Sequence, residues 1–357
     1  MKRQVEAVAR TPVRERRAGP MSVVLDLARS VQPDERTDDV RIELGPGGEP
    51  QAADRPAEAR LCWQSMDHVT FLKRPKLEQP PLICAFKGWN DGGEAASIAL
   101  RYLQERWHAE TFATLDPEEF YDFQVTRPTV RLEEGVSRVI EWPKAEFAAA
   151  SIGGRDVVLF GATEPNIRWR TFTEAVLATA EEIRSPMLVT LGAFLTDVPH
   201  SRPVPVVGSA VDQETADRLG LARSQYEGPT GIVGVLHDAS NRAGVPSVSL
   251  WAAVPHYLPV APNPKAALAL VERVAELLGM SINTEPLARA VGSWEQTMLG
   301  AMEESDELTE YVASLEAAAD ENVARARFSE EQVPSGDAIA AELERFLREQ
   351  GDGDAEG

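Results

Sequence analysis

The chain has 357 residues, of which 43% are apolar, and a net charge of −21 at neutral pH. This length and apolar content suffice for one large α/β domain with extensions or for two ordinary domains. The charge argues against non-specific binding to nucleic acid or to an anionic membrane surface, because both need a basic face. The two cysteines, Cys62 and Cys84, lack a CxxC motif and a nearby histidine cluster, so neither a disulfide framework nor a structural zinc site is indicated.

The first 64 residues mix arginine-rich and acidic pieces with proline and glycine and show no sustained hydrophobic period. This composition predicts a disordered leader at 1–64. Its first seventeen residues carry six basic and two acidic side chains, which fits a solvated tail or an interaction arm.

The sequence contains no candidate membrane span, because no run of consecutive apolar residues is as long as the about 18 that a span needs. We therefore predict a cytoplasmic protein that binds neither membrane nor nucleic acid.

From Pro80 onward, strand-like and helix-like segments alternate, which predicts an α/β core domain at 65–283 with a mainly parallel sheet and helices on both faces. Two short extended segments flank a turn at Gly135, which can adopt positive φ, and predict a β-hairpin at a sheet edge. The predicted strands of the core lie at 82–86, 111–115, 156–160, 187–191 and 247–254.

After residue 264 the pattern becomes mostly helical, with predicted helices at 265–278, 285–302, 306–319 and 336–348. The first of them completes the α/β domain, and 284–349 is predicted as a C-terminal helical appendage. Residues 301–357 contain 17 acidic residues and 4 arginines, a net −13. The last eight residues, 350–357, are predicted as a disordered acidic tail.

The loops that follow predicted strands hold the candidate site, because ligands of open α/β sheets bind at the carboxyl ends of the strands. The loop after the first core strand contains Asn90, Asp91, Gly92 and Gly93. A capped helix start in which glycines allow a tight turn can present amide N–H groups to an anion or a ligand carbonyl. The loop could equally be a purely structural turn. The loop matches neither GxGxxG nor the P-loop motif.

A second loop, at 161–169, contains Glu164, Asn166 and Arg168 between a predicted strand and a helix. A carboxylate, an amide and a guanidinium gathered there could bind a ribose or a carboxylate ligand. The alternative is that Glu164 pairs with Arg168 while Asn166 supports the turn. Both interpretations remain open at this point.

Asp197, His200 and Arg202 share a third loop, and an aspartate near a histidine can orient the imidazole and raise its basicity. The alternative is that His200 only makes hydrogen bonds within its loop. Thr230 is a candidate N-cap of the next helix, and His256 ends the last predicted strand. GxSxG, HxH, HxxxH and HExxH do not occur. These residues complete a candidate binding cleft for which we predict no catalytic residue, no metal and no cofactor.

Six motifs in this order resemble the proteasome assembly chaperone family of the second-subunit type, in its actinobacterial branch. The resemblance covers roughly 67–348. It implies a three-layer α/β fold of the phosphorylase or nucleosidase kind, a homo-oligomer, and proteasome subunits as partners. The motifs are Lys87-Gly-Trp-Asn-Asp-Gly-Gly93, Tyr121-Asp-Phe-Gln-Val-Thr-Arg-Pro128, Glu164-Pro-Asn-Ile-Arg-Trp169, Asp197-Val-Pro-His-Ser-Arg-Pro203, Gly228-Pro-Thr-Gly231 and Val254-Pro-His-Tyr257.

The function that the resemblance implies is protein binding, without established catalysis. Some members insert a C-terminal hydrophobic-Tyr-any residue tail into a proteasome ring, but this sequence ends Ala355-Glu-Gly357 and lacks that tail. Two alternatives stay open: a small-molecule enzyme that uses the cleft, and an ATP-dependent ligase of the ATP-grasp superfamily, to which relatives are also assigned. No phosphate-clamping loop with a partner lysine supports the second alternative.

Overall fold

The computed structural model describes residues 66–133, 137–210, 212–219, 221–223, 228–258, 262–303 and 305–331. The predicted leader at 1–64, helix at 336–348 and tail at 350–357 lie outside these residues. The chain forms two compact units. The first contains the described residues up to Thr196 together with Val204–Leu299, and the second contains Asp197–Pro203 and the described residues from Gly300 onward.

The described residues form eleven strands and seven α-helices. The strands are β1 (Val69–Phe71), β2 (Leu82–Lys87), β3 (Glu110–Leu115), β4 (Thr129–Glu133), β5 (Ser137–Glu141), β6 (Ala145–Ile152), β7 (Arg155–Thr163), β8 (Leu188–Thr196), β9 (Val206–Ala210), β10 (Ala222–Arg223) and β11 (Ser247–Pro255). The helices are α1 (Ala95–Arg106), α2 (Trp169–Glu182), α3 (Gln213–Leu219), α4 (Ile232–Arg242), α5 (Pro264–Leu278), α6 (Glu285–Glu303) and α7 (Asp306–Glu331).

Nine strands form one sheet in the order β1-β3-β6-β7-β2-β8-β11-β9-β10. The central strands β7, β2, β8 and β11 are parallel to one another. Antiparallel pairs of β1 with β3, β3 with β6, β6 with β7 and β9 with β11 flank this centre. The predicted α/β fold with a parallel central sheet is therefore confirmed, and the antiparallel flanks are an addition to it.

Strand β6 was not predicted, because its sequence Ala-Glu-Phe-Ala-Ala-Ala-Ser-Ile is rich in alanine, which has little preference for strands. It pairs with β7 through a tight connection at Gly153 and Gly154, both of which have positive φ. Two adjacent positive-φ residues are typical of the type I′ turn that joins hairpin strands. The two glycines were the sequence signal for this strand pair.

Helices cover both faces of the sheet, which gives three layers. Helices α1 and α5 pack on the face that carries Ile83, Leu159 and Leu191. Helices α2 and α4 pack on the opposite face, where Phe86 and Phe160 lie. Because neighbouring side chains of a strand point to opposite faces, a strand buried on both sides is an uninterrupted apolar run, as at 82–86.

The predicted hairpin at 129–142 exists, but the prediction that it lies at an edge of the main sheet was wrong. Strands β4 and β5 pair only with each other and form a separate two-stranded sheet. The edges of the main sheet are formed by β1 and β10. Most residues of β4 and β5 are therefore exposed on both sides of the hairpin.

The helices after residue 264 begin close to their predicted positions. Asn263 caps α5, since its Oδ1 accepts the Ala266 N–H at 2.9 Å. Within the first unit, Leu287 of helix α6 packs into the core, and the Lys265 Nζ lies 2.7 Å from the Glu295 Oε1. Helix α7 in the second unit extends beyond the predicted range of 306–319 and ends at Glu331.

Candidate functional site

Asp91 lies in the loop after β2 and caps helix α1. Its Oδ1 accepts the N–H groups of Ala96 at 2.8 Å and of Ser97 at 3.1 Å. The residue is only 7% exposed, and its Oδ2 is buried without a hydrogen bond to any residue that the structure describes. Burial raises the pKa of the Asp91 carboxyl above its ordinary value, because a charged carboxylate is poorly solvated there.

Asn90 connects the loop after β2 to strand β8 and to the loop after β7. Its backbone oxygen accepts the N–H of Ala193, within β8, at 2.9 Å. Its side-chain Nδ2 donates to the Glu164 Oε1 at 3.0 Å, in the loop after β7. The residue is buried. Asn90 therefore connects β2 to its neighbours on both sides.

Glu164 makes a second contact through the same oxygen, because its Oε1 also accepts the N–H of Ile232 at 2.8 Å. Ile232 is the first residue of α4, so the carboxylate lies at a helix N-terminus, where negative charge is favoured. Gly231 is the N-cap residue, and the prediction of Thr230 as N-cap was wrong. A Cβ on Gly231 would lie 2.5 Å from the Asn90 Nδ2 and 2.7 Å from the Glu164 Oε1, so this close approach requires glycine.

Gly92 and Gly93 contact strand β8 and the residue before α5. The Cβ position of Gly92 faces the Ala193 backbone oxygen at 3.1 Å. The Gly93 oxygen accepts the Asn263 N–H at 2.7 Å, directly before α5. The pair therefore packs the loop against β8 and the start of α5, and the two described hydrogen bonds of the Glu164 carboxylate go to other residues.

Asn166 and Arg168 bind to the neighbouring loop at 116–128. The Asn166 Oδ1 accepts the Asp122 N–H and the Thr126 hydroxyl, each at 2.9 Å. Arg168 forms an ion pair with Glu119, and its guanidinium lies 5.9 Å from the centre of the Phe120 ring. The pair of Glu164 with Arg168 that the sequence allowed does not form, whereas the supporting role of Asn166 does.

Asp197 and Arg202 lie in the second unit and bind helix α7. The Tyr311 hydroxyl donates to the Asp197 Oδ1 at 3.0 Å. Arg202 donates through Nε and Nη2 to both oxygens of Asp320, at 2.9 and 2.8 Å. The guanidinium lowers the pKa of the Asp320 carboxyl, since the hydrogen bonds favour its charged form. His200, in the same loop, is buried.

His256 and Thr230 are exposed in the first unit. The His256 ring lies edge-on to the Tyr257 ring, with 5.9 Å between their centres. Its backbone N–H donates to the Thr196 oxygen at 3.2 Å, so His256 follows the ends of β8 and β11. Of the predicted site residues, the structure thus joins the side chains of Asn90 and Glu164, and Asp91 follows Asn90 in the chain and caps the start of α1.

Another histidine, His237, is packed within the core of the first unit. Its Nε2 lies 2.7 Å from the Thr190 Oγ1, and its Nδ1 lies 2.9 Å from the Ser247 Oγ. Burial lowers the pKa of the imidazole to about 4. His237 lies on the buried side of helix α4.

Sequence reasoning missed Gly231 and the Ile232 amide as members of the cluster. The motif Gly228-Pro-Thr-Gly231 indicated a helix start there, but only the fold brings that start to Glu164. The amides of Ala96, Ser97 and Ile232, at helix N-termini that could bind an anion, already donate to carboxylates of the chain. The cluster is therefore better suited to a hydrogen-bond donor or a cation than to phosphate.

The described residues contain no group of three or more His, Cys, Asp or Glu side chains that could hold a metal ion. None of the helices in the described part of the chain is long and apolar enough to cross a membrane.

Comparison with known proteins relates the chain to one family. The PAC2 family profile matches residues 85–302. A PAC2 family protein from Streptomyces avermitilis, whose crystal structure is known, is 47% identical in sequence to this chain. The two structures superpose with a TM-score of 0.60, and the match covers 65% of this chain and 99% of that protein. A proteasome-assembly chaperone homologue from Mycobacterium tuberculosis is 43% identical, with a TM-score of 0.59 and the same two coverages.

A more distant relative comes from an archaeon. An uncharacterized protein of Methanocaldococcus jannaschii is 27% identical over 210 residues, which are 57% of this chain and 77% of that protein. The profile match spans more than half of the 357 residues and includes the loops that carry Asn90, Asp91, Glu164 and Gly231. The chain belongs to the PAC2 family.

Proposed function

We propose that the protein is a cytoplasmic, proteasome-assembly-chaperone-like module that binds other proteins and has proteasome subunits among its partners. The observation that carries this proposal is the 43% identity to a proteasome-assembly chaperone homologue over 99% of that chain. The candidate site adds support, because the helix N-termini within it are occupied by the chain's own carboxylates. Such a site is arranged for support of loops and for contact with a partner rather than for phosphate chemistry.

The hairpin formed by β4 and β5 is the surface that best fits a second copy of the chain. Its register places Val130 opposite Ile140, and Leu132 lies on the same side as both. Together with Trp142 these side chains are 47–62% exposed. A two-stranded sheet is marginal by itself, and an apolar side of this kind marks an interaction surface.

Charge favours a second copy as the occupant of this surface. Residues 128–144 contain three basic and three acidic residues, whereas the whole chain carries −21. Two acidic copies repel each other least where their surfaces are neutral. We therefore place the contact of a homo-oligomer on the apolar side of this hairpin.

The proposed function is tested with purified proteasome α subunits from the same organism. Assembly of the subunits into rings is followed by sedimentation velocity, with and without the protein. We expect the protein either to cosediment with the subunits or to change the yield of rings. If the subunits sediment identically in both samples and the protein stays apart from them, the proposal is refuted.

A small-molecule enzyme remains the second candidate, on one observation. Asp91 is a buried carboxyl with a raised pKa at the carboxyl ends of the strands, which is typical of functional acids. Thermal unfolding with nucleosides, inorganic phosphate, and ATP with Mg²⁺ tests this candidate and the ligase alternative together, because a ligand of the native state raises the melting temperature. We expect no shift, and a saturable shift would instead favour an enzyme.

A further inference from the structure

We propose that the hairpin of β4 and β5 in one copy of the protein docks on an uncovered part of the main sheet in the next copy. This part, the sheet platform, consists of Phe194, Trp251 and Val207 on strands β8, β11 and β9. The inference rests on the proposed contact of a homo-oligomer at the hairpin, for which it names the surface of the other copy. It predicts a head-to-tail arrangement of copies.

The sheet platform is a continuous apolar surface. Trp251 pairs with Gly192 of β8 on one side and with Val207 of β9 on the other. The indole lies over Gly192, because a Cβ there would come within 2.5 Å of the ring. The Phe194 ring lies beside the indole, with 6.4 Å between the ring centres. Directly paired residues of antiparallel strands point to the same side of the sheet, so Val207 completes the surface next to Trp251.

Part of the sheet platform is open to solvent. Phe194 is 39% exposed and Val207 is 54% exposed, although both belong to strands of the main sheet. Helix α4 covers the neighbouring part of this side, where His237 contacts Thr190 and Ser247. Exposed apolar side chains in a contiguous group mark an interaction surface.

Charge favours a second copy as the occupant of the platform. Strands β8, β9 and β11 contain no charged residue and no histidine, whereas the whole chain carries −21. Two acidic copies repel each other least where uncharged surfaces meet. The hairpin, whose basic and acidic residues are equal in number, is the matching surface of the other copy.

Arg138 favours the platform over a second hairpin as the surface that the hairpin meets. It lies opposite Leu132 in the register, so it shares the apolar side of the hairpin. On the other side, Arg131 pairs with Glu133 and Glu141, whereas Arg138 forms no ion pair with any residue that the structure describes. Two hairpins packed through their apolar sides would bring two such arginines into one contact, which costs free energy. The uncharged platform avoids this repulsion.

The two surfaces lie in different parts of one copy, so both can be occupied at once. The hairpin connects β3 to β6, which lie on one side of β2 in the order of the sheet. The platform strands β8, β11 and β9 lie on the other side of β2. A contact between two different surfaces repeats from copy to copy and closes into a ring if the rotation allows it.

Two variants of the full chain, each lacking one surface, test the proposal. The hairpin variant combines Leu132→Ser with Ile140→Ser, and the platform variant combines Phe194→Ser with Val207→Thr. At a concentration at which the unaltered protein is associated, sedimentation equilibrium should show each variant alone shifted toward monomer. An equimolar mixture should form pairs of twice the chain mass, because each variant supplies the surface that the other lacks. Such pairs would also show that both variants are folded.

Leu195→Ser is the matched control for the platform variant. Leu195 is the next residue of β8, is 59% exposed and points to the opposite side of the sheet from Phe194. This control should keep the mass of the unaltered protein. Val207→Lys is a second platform variant, a single exposed substitution that places a charge in the contact, and it should behave as the first does.

Four results would overturn the proposal: a monomeric unaltered protein, an unaltered mass for both platform variants, mixtures as monomeric as their components, or a control as monomeric as the platform variant. A monomeric hairpin variant beside platform variants of unaltered mass would keep the hairpin contact and refute only the platform. The ring assembly of proteasome subunits is a separate measurement, and its failure would refute the proposed partner without affecting the contact between copies.

Discussion

Glu164 shows how a single carboxylate can join elements that are far apart in sequence. One oxygen holds the Asn90 side chain, 74 positions away, and the first amide of α4, 68 positions away. The hydrogen bonds of a carboxylate to an amide at a helix N-terminus are among the stronger ones in proteins. This side chain therefore stabilises the edge of the sheet at which the candidate site lies.

Asp91 gives a prediction that separates capping from charge. Asp91→Ala removes the acceptor of two N–H groups at the start of α1 and should lower the free energy of unfolding by about 1–2 kcal/mol. Asp91→Asn keeps a side-chain oxygen for these groups and should stay closer to the unaltered protein. Urea unfolding measures both variants, and equal stability of Asp91→Ala and the unaltered protein would contradict the capping role.

The raised pKa of Asp91 adds a dependence on pH to this comparison. Because the folded pKa lies above the unfolded value of about 3.9, the folded state holds the proton more tightly. This contribution to stability is therefore present at low pH and is lost as the pH rises from about 4 through the folded pKa. Asp91→Asn should lack this loss, which unfolding measured at several pH values would reveal.

His237 predicts the opposite dependence. Its folded pKa of about 4 lies below the unfolded value of about 6.5, so the unfolded chain takes up the proton first as the pH falls. The neutral imidazole therefore contributes stability at neutral pH that is lost as the pH falls from about 6.5 to about 4, in total about 3 kcal/mol.

His237→Gln should flatten the dependence of the unfolding free energy on pH between 7 and 5, whatever its effect on absolute stability. The measurement is urea unfolding of both proteins at several pH values in that interval. Parallel curves for the variant and the unaltered protein would show that His237 is not protonated preferentially in the unfolded chain.

At the scale of elements, the junction between the β7 loop and α4 depends on Gly231. An alanine methyl group there would lie within 2.7 Å of both the Asn90 and the Glu164 side chains, although the extended backbone of this residue suits alanine. We expect Gly231→Ala to lower the free energy of unfolding by about 1–3 kcal/mol through crowding.

Gly292→Ala is the matched control for this prediction. Gly292 lies inside α6, where a Cβ meets no atom within 4 Å. Alanine should raise stability there by about 0.5–1 kcal/mol, because glycine is the weaker helix former. Denaturant unfolding of the two variants should therefore give changes of opposite sign, and a neutral Gly231→Ala would show that the junction can rearrange.

The second unit gives a prediction about helix α7. Arg202 binds both oxygens of Asp320 and lies 3.4 Å from the Glu316 carboxylate. Lysine cannot reproduce this two-pronged geometry, so Arg202→Lys should speed amide hydrogen exchange in α7. Since these charged groups are partly exposed to solvent, added salt should speed exchange in the unaltered protein as well.

Arg242→Lys serves as the control for Arg202→Lys, because Arg242 forms an exposed ion pair with Asp238 within α4. Hydrogen exchange in α7, followed by mass spectrometry, should not respond to this control. Equal exchange in α7 for both variants would mean that Arg202 does not hold the helix.

At the scale of the whole molecule, the hairpin determines the expected oligomeric state. Replacing Leu132 and Ile140 together by serine makes the apolar side polar without touching the main sheet. Sedimentation equilibrium should then show a shift toward monomer. Val139→Thr, on the opposite side of the hairpin, should leave the mass unchanged. An unaltered mass for the double variant would place the contact elsewhere.

The sequence by itself determined the central strands and the helices beside them. Strands β2, β8 and β11 contain long apolar runs because both of their faces are buried, and this pattern is visible without a structure. The helical period likewise located α5 and α6. Family motifs in the correct order predicted the PAC2 relationship, since each motif is local in the chain.

The tertiary structure alone decided the partners of the polar residues. Asp197 and Arg202 could have faced a ligand, but their loop binds α7, with 118 positions between Arg202 and Asp320. The alanine-rich strand β6 owes its place to pairing with β3 and β7. Hydrogen bonds and pairings over such separations depend on how whole elements pack, and local sequence carries little information about that packing.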